Sequence, residues 1–386
     1  MKYLSWISLA DCHISLMDSL GKIQTNGWNT RTIEKLKLFN DAVDFAIEKR
    51  VDFVTILGDL FNTPNPGAKL RNAISLILKK LFEARNIKLF ILGGNHDGEE
   101  GYYPLSSESN FVNSICPNMF NVITKNTIFD ISGQSFVFIP FTKDFKNIED
   151  YLKILSENFL SKNTIVFGHF PILNYQMDNS FPSPEGVNAG CLNNFYCTYL
   201  GHFHKRSECF KHQYIGSPYY IDFKSIEGDR GFVYSVISKE NYSSKGFVLK
   251  DEFIDLSFSD RQFDNISIIE QNGFDKIISE NRSIDINEYL NFNAVDKDII
   301  RISLFGNRDW LNLIDQTELK KKFIDAGAFL VFIETKEDDK DKVNEINMIE
   351  SGPEESVRTY LTEKKREDLI DIGVDLIYKA ESSLEE

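Results

Sequence analysis

FVTILGD, at residues 53–59, is an apolar run that ends abruptly in a glycine and an aspartate. An apolar, β-branched run closed by Gly-Asp is typical of a buried β-strand that ends in a tight turn. The same pattern returns in LFILGGNHD at residues 89–97, and the residues between, Leu70 to Phe82, have apolar positions at helical spacing. Strand, helix and strand in this order predict an α/β unit.

A strand and a helix extend this unit toward the amino terminus. Leu4 to Leu9 is a short apolar stretch that ends at Asp11, and Thr32 to Lys49 has a helical period. The polar residues therefore come just after the carboxyl ends of strands, where open α/β sheets place their sites.

The next part of the chain is richer in β signals. Strands are predicted at Asn121–Ile123, Thr127–Ile131, Phe136–Ile139, Thr164–Phe167, Thr198–Leu200, Tyr214–Ile215 and Phe232–Val236. Both parts together predict an α/β fold in which helices flank a mixed sandwich of two sheets.

The pattern changes after about residue 260. Ile299 to Leu304 and Phe329 to Ile333 read as strands, Leu311 to Phe323 reads as a helix, and together they predict a small α+β domain. Gly352-Pro353 then breaks the chain before a last helical stretch with an apolar stripe. We predict a main domain at 1–256, a small domain at 257–345 and C-terminal helices at 346–386, which either dock on their own protein or bind a partner.

Composition excludes several classes of protein. Hydrophobic residues make up 42% and charged residues 26% of 386 residues, which is normal for a globular protein of two or three domains. The start of the sequence has no basic and then apolar leader, and no apolar run reaches the ~18 residues of a membrane span.

The five cysteines form no CxxC pair, so we expect free thiols and a cytoplasmic protein. The net charge of −15 is unfavourable for a protein that grips DNA by itself.

Five of the six histidines fall in short segments that follow apolar runs. The segments are DCH (11–13), GD (58–59), GNHD (94–97), GH (168–169) and GHFH (201–204). Each alone is weak evidence, because a Gly-Asp is usually a turn and a lone histidine is more often structural. His202 and His204 are stronger, since alternate residues of a strand share a face. Together the segments supply imidazole nitrogens with carboxylate and amide oxygens, which suits a dinuclear Mn, Zn or Fe centre.

Such a centre fits the hydrolysis of phosphoesters. A phosphate anion repels hydroxide, and two cations about 3.5–4 Å apart neutralise it, hold the attacking water and lower the pKa of that water. A carboxylate shared by both ions fixes their spacing, and a nearby histidine can protonate the departing oxygen.

These five segments resemble the motif set of the calcineurin-like metallophosphoesterases, whose fold is a two-sheet sandwich flanked by helices. The resemblance implies two divalent ions, with Mn²⁺ expected and Mg²⁺ as the alternative. It assigns to the first ion Asp11, His13, Asp59 and His204, and to the second ion Asp59, Asn95, His169 and His202. It also implies that Asp59 bridges the ions, that His96 is the acid for the leaving group and that Asp97 positions His96.

Within this superfamily the chain is similar to the SbcD and meiotic-recombination-eleven nucleases, including phage-encoded ones. The similarity lies in GDLF at 58–61 followed by Pro64 and Pro66, in Asp97 at the end of the third motif, and in YIGSP at 214–218. A small capping domain and a helical tail follow in the same order. The resemblance implies a DNA exo- and endonuclease subunit of a double-strand-break repair complex. It further implies a homodimer, an SbcC-like coiled-coil ABC-type ATPase as partner, no membrane contact, and the host cytoplasm if the gene is phage-encoded.

Substrate contacts are less defined. Asn62 stands where many relatives carry His or Asp, and an amide can hydrogen-bond a phosphate but cannot exchange a proton with it. The aromatic pair Tyr102 and Tyr103 could stack on bases, and Lys205 and Arg206 could meet phosphates. Ordinary loop packing explains the two tyrosines equally well, and a solvated turn explains Lys205 and Arg206 equally well.

Two other functions remain open at this point. A small-molecule or cyclic-nucleotide phosphodiesterase of the same superfamily is favoured by the acidic charge. A non-catalytic scaffold is disfavoured by the intact ligand set.

Overall fold

The computed structural model describes residues 3–98, 120–158, 161–175, 182–209, 211–223, 229–239, 247–256, 263–271, 274–279 and 298–337. The chain forms two compact units. Among the described residues, the first unit comprises those up to Asp264 with 298–300 and 326–331, and the second comprises 265–279, 301–325 and 332–337. The boundaries at 256/257 and 345/346 stay predictions.

Among its described residues, the first unit has twelve strands and three α-helices. Its first two helices and most of its strands agree with the sequence patterns, whereas the third helix and two strands were not predicted. Its strands are β1 (Tyr3–Leu9), β2 (Phe53–Ile56), β3 (Lys88–Leu92), β4 (Phe120–Ile123), β5 (Thr127–Ile131), β6 (Gln134–Ile139), β7 (Ile165–His169), β8 (Cys197–Gly201), β9 (Ser207–Cys209), β10 (His212–Tyr214), β11 (Gly231–Lys239) and β12 (Phe247–Asp255). Its helices are α1 (Thr30–Lys49), α2 (Ala68–Arg85) and α3 (Phe145–Asn158).

These strands form two six-stranded sheets. The first sheet has the order β12-β11-β1-β2-β3-β4 and the second has the order β5-β6-β7-β8-β10-β9. Strands β1, β2, β3 and β4 run parallel to one another, and so do β6, β7, β8 and β10. The pairs β1–β11, β11–β12, β5–β6 and β9–β10 are antiparallel. The carboxyl ends of the motif-bearing strands therefore meet at one edge of each sheet. The predicted α/β sandwich of two sheets is confirmed.

An aromatic cluster joins the two sheets at the centre of the sandwich. Trp6, which is fully buried, stacks on Phe53 of its own sheet with ring centroids 5.3 Å apart. Its edge contacts Phe136, Phe167 and Tyr199 of the other sheet at centroid distances of 5.6, 6.2 and 6.1 Å. Buried aromatic rings contribute large apolar areas to a core, so this cluster holds the two motif-bearing sheets together.

Helices cover the outer faces of both sheets. Successive side chains of a strand point to opposite faces, and both faces of these strands carry apolar residues, so the outer face also needs a cover. On β1, Leu4 and Trp6 face the sandwich, whereas Ile7 and Leu9 pack with buried residues of α1 and α2. On the second sheet, residues of β6 and β7 pack against the apolar side of α3. Strands that are buried on both faces explain the continuous apolar runs in the sequence.

The described residues of the second unit lie in a four-stranded sheet, in two short helices and in the segments that join them. The sheet has the order β14-β13-β15-β16 and comprises β13 (Phe263–Gln271), β14 (Phe274–Ser279), β15 (Ile299–Gly306) and β16 (Leu330–Glu337). Side-chain hydrogen bonds join neighbouring strands: Arg301 Nε donates to Asn265 Oδ1 at 2.9 Å, and Ser303 donates to Glu334 at 2.6 Å.

The single helix predicted at Leu311–Phe323 is wrong, because two helices occupy this region. They are α4 (Arg308–Leu313) and α5 (Gln316–Asp325), separated by Ile314 in an extended conformation. The side chain of Asp315 accepts from the backbone nitrogens of Thr317 and Glu318 at 2.9 and 3.0 Å. This carboxylate caps the start of α5, and its preference for a cap over a helix interior explains the break.

The predicted helices at 346–386 lie outside the described residues. Among the residues that the structure does describe, none of the helices combines the length and the apolar character that crossing a bilayer would require.

Replacing Trp6 by alanine should destabilise the first unit by about 3–5 kcal/mol, because the large cavity would separate the two sheets. Chemical denaturation followed by circular dichroism measures this change. Met17→Ala is the control, because the Met17 side chain is 72% exposed and its loss should have little effect. Equal unfolding midpoints for the two variants would contradict the central role of Trp6.

Candidate metal centre

The predicted ligands all lie at the carboxyl ends of parallel strands. The turns after β1, β2 and β3 and the ends of β7 and β8 bring together Asp11, His13, Asp59, Asn95, His96, Asp97, His169, His202 and His204. Strands of both sheets contribute, so the cluster sits at the end of the sandwich where the two sheets meet.

Several of these residues have a left-handed backbone that side chains other than glycine rarely adopt. The φ angles are +50° at Asp11, +41° at His13, +52° at Asp59 and +96° at His202. Each such residue costs on the order of 1–3 kcal/mol and persists only where its surroundings hold it. These turns redirect side chains at the strand ends toward a common centre.

Glycines in the motifs make room for the ligands. A Cβ atom on Gly94 would lie 2.1 Å from Asp59 Oδ1, and one on Gly58 would lie 2.1 Å from His169 Nδ1. Gly58 also has a φ of +86°. These two positions therefore exclude every side chain.

The carboxylate of Asp59 stands between two histidines. Its Oδ2 atom is 3.5 Å from Nε2 of His13 and 3.5 Å from Nε2 of His169. Its Oδ1 atom accepts a hydrogen bond from the backbone nitrogen of His96 at 2.8 Å. One carboxylate oxygen is thus equally near to a proposed ligand of each ion.

The rings of His13 and His169 each have a hydrogen-bond partner on the side away from Asp59, and this contact fixes which ring nitrogen points toward Asp59. His169 Nδ1 donates to the carbonyl oxygen of Leu57 at 2.7 Å, and His13 Nδ1 lies 3.1 Å from Asn62 Oδ1. A donated Nδ1 proton leaves Nε2 with a free lone pair in the neutral ring, which is how metal-binding histidines are commonly oriented.

Two groups of donor atoms converge around Asp59. In one group Asp11, His13 and His204 offer atoms that all lie within 4.8 Å of one another. In the other, Asn95 Oδ1 lies 3.0 Å from His169 Nε2 and 3.0 Å from His202 Nδ1. All seven ligands predicted from the sequence are brought together.

The cluster fits a pair of cations on chemical grounds. Nε2 of His13 is buried and has no hydrogen-bond partner, although it faces Asp59 and the rest of the cluster. A buried polar atom without a partner is costly, and a cation at this place would satisfy it. Imidazole nitrogens with carboxylate and amide oxygens are suitable ligands for a divalent transition metal.

Burial and neighbouring charges together set the protonation of the cluster. Burial lowers the pKa of His13 and of His202 to about 3, so both rings are neutral at pH 7 with lone pairs available. Burial also raises the pKa of Asp11 well above its usual value, and the charge of Asp59 adds to this effect. At Asp59 the opposing influence of His169 and His13 outweighs burial and keeps the pKa of that carboxyl below its usual value.

His96 lies at the accessible side of the cluster. Its ring meets that of His13 edge-on with centroids 4.7 Å apart, and its Nδ1 atom is 3.2 Å from the carbonyl oxygen of Asn62. A carbonyl can only accept, so Nδ1 carries a proton in this contact.

Asp97 does not hold the ring of His96 as predicted. Its two carboxylate oxygens accept instead from the backbone nitrogens of Phe61 and Gly94, at 2.9 and 3.0 Å. Burial, with the nearby charge of Asp59, raises the pKa of Asp97 to about 7. Asp97 therefore ties the second motif turn to the third, and the carbonyl of Asn62 is the partner of the His96 ring.

Three of the five predicted substrate contacts, Asn62, Lys205 and Arg206, lie among the described residues. Asn62 lies beside His13 and His96, as described above. The guanidinium of Arg206 pairs with Glu208 and lies 4.3 Å from the ring centroid of Phe253, so it is already engaged within the protein. Lys205 is partly buried, and Tyr102 and Tyr103 lie outside the described residues.

Three residues that sequence reasoning missed contact the ligand turns. Tyr219 donates to the carbonyl oxygen of Cys12, Lys35 to that of His13 at 3.3 Å, and Arg230 to that of His204 at 2.6 Å. A lysine on the apolar side of the predicted first helix was a readable signal. The contacts of Tyr219 and Arg230 span long sequence separations and leave no local pattern.

Comparisons with known proteins agree with this geometry. A family model described as "Calcineurin-like phosphoesterase" matches residues 8–206, a range that contains every residue of the cluster. The DNA double-strand break repair protein Mre11 of Methanococcus maripaludis is 27% identical over 219 residues, which cover 53% of this chain and 52% of that protein. Its namesake from Thermoplasma acidophilum is 44% identical over 59 residues, or 15% of each chain.

The matched region thus spans about half the length of one relative and much less of the other. Among solved structures, a crystal structure of a dimetal phosphatase from Danio rerio is similar with a TM-score of 0.39 and 13% identity, covering 66% of this chain and 99% of that chain. Because the family model covers more than half of the sequence, including all the clustered motifs, the chain belongs to the calcineurin-like phosphoesterase family.

Proposed function

We propose that this metallophosphoesterase is a DNA nuclease, with exo- and endonuclease activity, that acts in double-strand-break repair. The observation that carries the hydrolytic part is the position of the Asp59 carboxylate, 3.5 Å from one histidine of each ligand group. The choice of DNA as substrate is supported by the similarity to two archaeal proteins named as DNA double-strand break repair proteins.

Seven residues would hold the two ions. The first ion would bind Asp11, His13, Asp59 and His204, and the second would bind Asp59, Asn95, His169 and His202. When bound, such ions neutralise the phosphate and lower the pKa of the attacking water. Four imidazole ligands favour Mn²⁺ over Mg²⁺, because Mg²⁺ keeps largely to oxygen ligands and water.

His96 would act as the acid that protonates the departing oxygen. It offers a ring nitrogen within 4.8 Å of ligand atoms of His13 and Asp59, and it is partly exposed where a substrate can enter. Since Nδ1 donates to the carbonyl of Asn62, a proton on Nε2 makes the ring an imidazolium. The imidazolium is therefore the form that would give its Nε2 proton to the leaving group.

The assembly proposed with this function is a homodimer bound to an SbcC-like coiled-coil ABC-type ATPase in the cytoplasm. A net charge of −15 supports a partner, because counterion release on DNA requires Lys and Arg that this chain has in deficit. The helices predicted at 346–386 are the candidate contact with that partner, and the small domain is the candidate cap of the active site.

A small-molecule phosphodiesterase of the same superfamily is the second candidate. The same negative charge favours it, since a small monoanionic diester needs no extended basic surface. Rapid turnover of cyclic nucleotides by the purified protein, with linear duplex DNA left intact in the presence of Mn²⁺ and the ATPase, would select this alternative.

Replacing His96 by alanine should lower the Mn²⁺-dependent cleavage of linear duplex DNA by about 10²–10⁴-fold, because a positioned proton donor contributes this much. Metal content should stay at the wild-type level, since His96 is not among the seven ligands. Gel electrophoresis of end-labelled DNA and elemental analysis measure the two quantities.

The matched control for this experiment is His212→Ala, which removes the one histidine outside the motifs, on β10. Its folded fraction should cleave DNA at the wild-type rate. Cleavage by His96→Ala at the rate of the control would rule out the proposed acid.

Replacing Asp59 by asparagine should abolish tight binding of both ions, because the amide keeps the shape but loses the shared negative charge. Wild-type protein should gain about 2.7 kcal/mol of unfolding free energy for each bound ion when free Mn²⁺ is 100 times the dissociation constant of that site, and this gain should vanish in the variant. Thermal unfolding in Mn²⁺ and in EDTA measures it. Asp309→Asn, at an exposed position of α4, is the control and should keep the gain. A full gain in Asp59→Asn would contradict the bridging role.

A further inference from the structure

His13 sits between two peptide groups whose orientation decides where its ring points. Its φ of +41° depends on the peptide that joins Cys12 to His13, and its ψ depends on the peptide that joins His13 to Ile14. An ordinary residue leaves this region of backbone space readily, because the right-handed and extended regions are lower in energy. Something must therefore hold both peptides.

The first peptide is bonded at both ends. Its N–H, on His13, donates to the carbonyl oxygen of Asp59 at 2.8 Å. Its carbonyl oxygen, on Cys12, accepts from the hydroxyl of Tyr219, a side chain that is completely buried. The Tyr219 hydroxyl thus sets the plane that fixes φ of His13.

The second peptide is held in the same way. Its N–H, on Ile14, donates to the carbonyl oxygen of Leu60 at 3.0 Å. Its carbonyl oxygen, on His13, accepts from Nζ of Lys35 at 3.3 Å. The ammonium of Lys35 is anchored by Asp18 at 2.7 Å and lies 5.5 Å from the ring centroid of Tyr219, so the two side chains also contact each other.

We propose that Tyr219 and Lys35 are positioning residues for the first metal site. They hold His13 in its left-handed conformation, and this directs Nε2 toward Asp59 and toward the atoms offered by Asp11 and His204. Neither residue is among the seven proposed ligands, and each acts on the main chain of Cys12 or His13. The inference rests on the proposed function, because it assigns His13 to an ion.

The effect should be confined to one site. The histidine ligands of the second site, His169 and His202, make other contacts. His169 lies in the regular strand β7, and its ring donates to the carbonyl oxygen of Leu57. The backbone nitrogen of His202 donates to the carboxylate of Asp11. Loss of the Tyr219 hydroxyl should therefore weaken the first ion and spare the second.

Tyr219→Phe tests this with the loss of a single oxygen atom. It is made in two backgrounds: His202→Ala, which leaves the first site, and His13→Ala, which leaves the second. Titration with Mn²⁺, with the free ion followed by electron paramagnetic resonance, gives the dissociation constant of the site that remains. Tyr219→Phe should raise it about 10–100-fold in the His202→Ala background and leave it unchanged in the His13→Ala background. Lys35→Met should show the same selectivity.

Tyr199→Phe is the matched control. Tyr199 is equally buried, and its hydroxyl donates to the carboxylate of Asp251 on β12 and accepts from Ser235, away from the ligand turns. Its loss should not change Mn²⁺ binding in either background. Equal effects of Tyr219→Phe in both backgrounds, or equal effects of the two tyrosine variants, overturn the inference.

The test also separates this inference from the proposed function. Wild-type protein that binds no Mn²⁺ overturns both. Wild-type protein that binds two ions and cleaves DNA, while the first-site affinity is unchanged by Tyr219→Phe and by Lys35→Met, overturns the inference alone.

Discussion

The contact on which the site depends is the approach of two imidazole nitrogens to one carboxylate oxygen. His13 follows β1 of the first sheet, His169 ends β7 of the second, and both place Nε2 3.5 Å from Oδ2 of Asp59. Such a meeting requires that the carboxyl ends of strands from both sheets lie together. The aromatic cluster around Trp6 provides this by joining the sheets face to face, so core packing and ligand geometry are parts of one constraint.

The same arrangement is unfavourable without a cation. Asp11 and Asp59 are buried within a few ångströms of each other, and Asp97 lies close to both. Buried like charges raise the free energy of the folded protein unless a positive group compensates them. Left-handed turns at four ligands add strain. Hydrogen bonds with the main chain of these turns offset part of this cost and keep the proposed ligands in place. Asp97 accepts such bonds, and Tyr219, Lys35 and Arg230 donate them.

Much of the fold was predictable because its signals are local. Apolar runs ending at polar turns gave β1, β2, β3 and β7, and the motif residues at their ends gave the ligands. The amphipathic helix α3 was equally readable, from Ile148, Leu152 and Leu155, but was not predicted individually. The break between α4 and α5 was missed because the capping role of Asp315 depends on where its side chain finds donors.

Other features could not be read from the sequence, because they depend on contacts between distant segments. Asp97 was expected to orient the neighbouring His96, yet its oxygens bond to the turns of Phe61 and Gly94. Arg206, considered as a phosphate contact, is occupied by Glu208 and Phe253. The hydroxyl of Tyr219 reaches Cys12 across 207 residues of chain. Motifs therefore identify the proposed ligands, whereas the residues that hold them in place emerge only from the folded structure.

The most direct test of the central claim is a crystal structure of the protein grown with Mn²⁺ and measured at the manganese absorption edge. Two anomalous peaks separated by roughly 3.5–4 Å, one on each side of the Asp59 carboxylate, are expected for a bridged pair. A single peak, or two peaks that do not share Asp59, would contradict the account of how this chain hydrolyses phosphoesters.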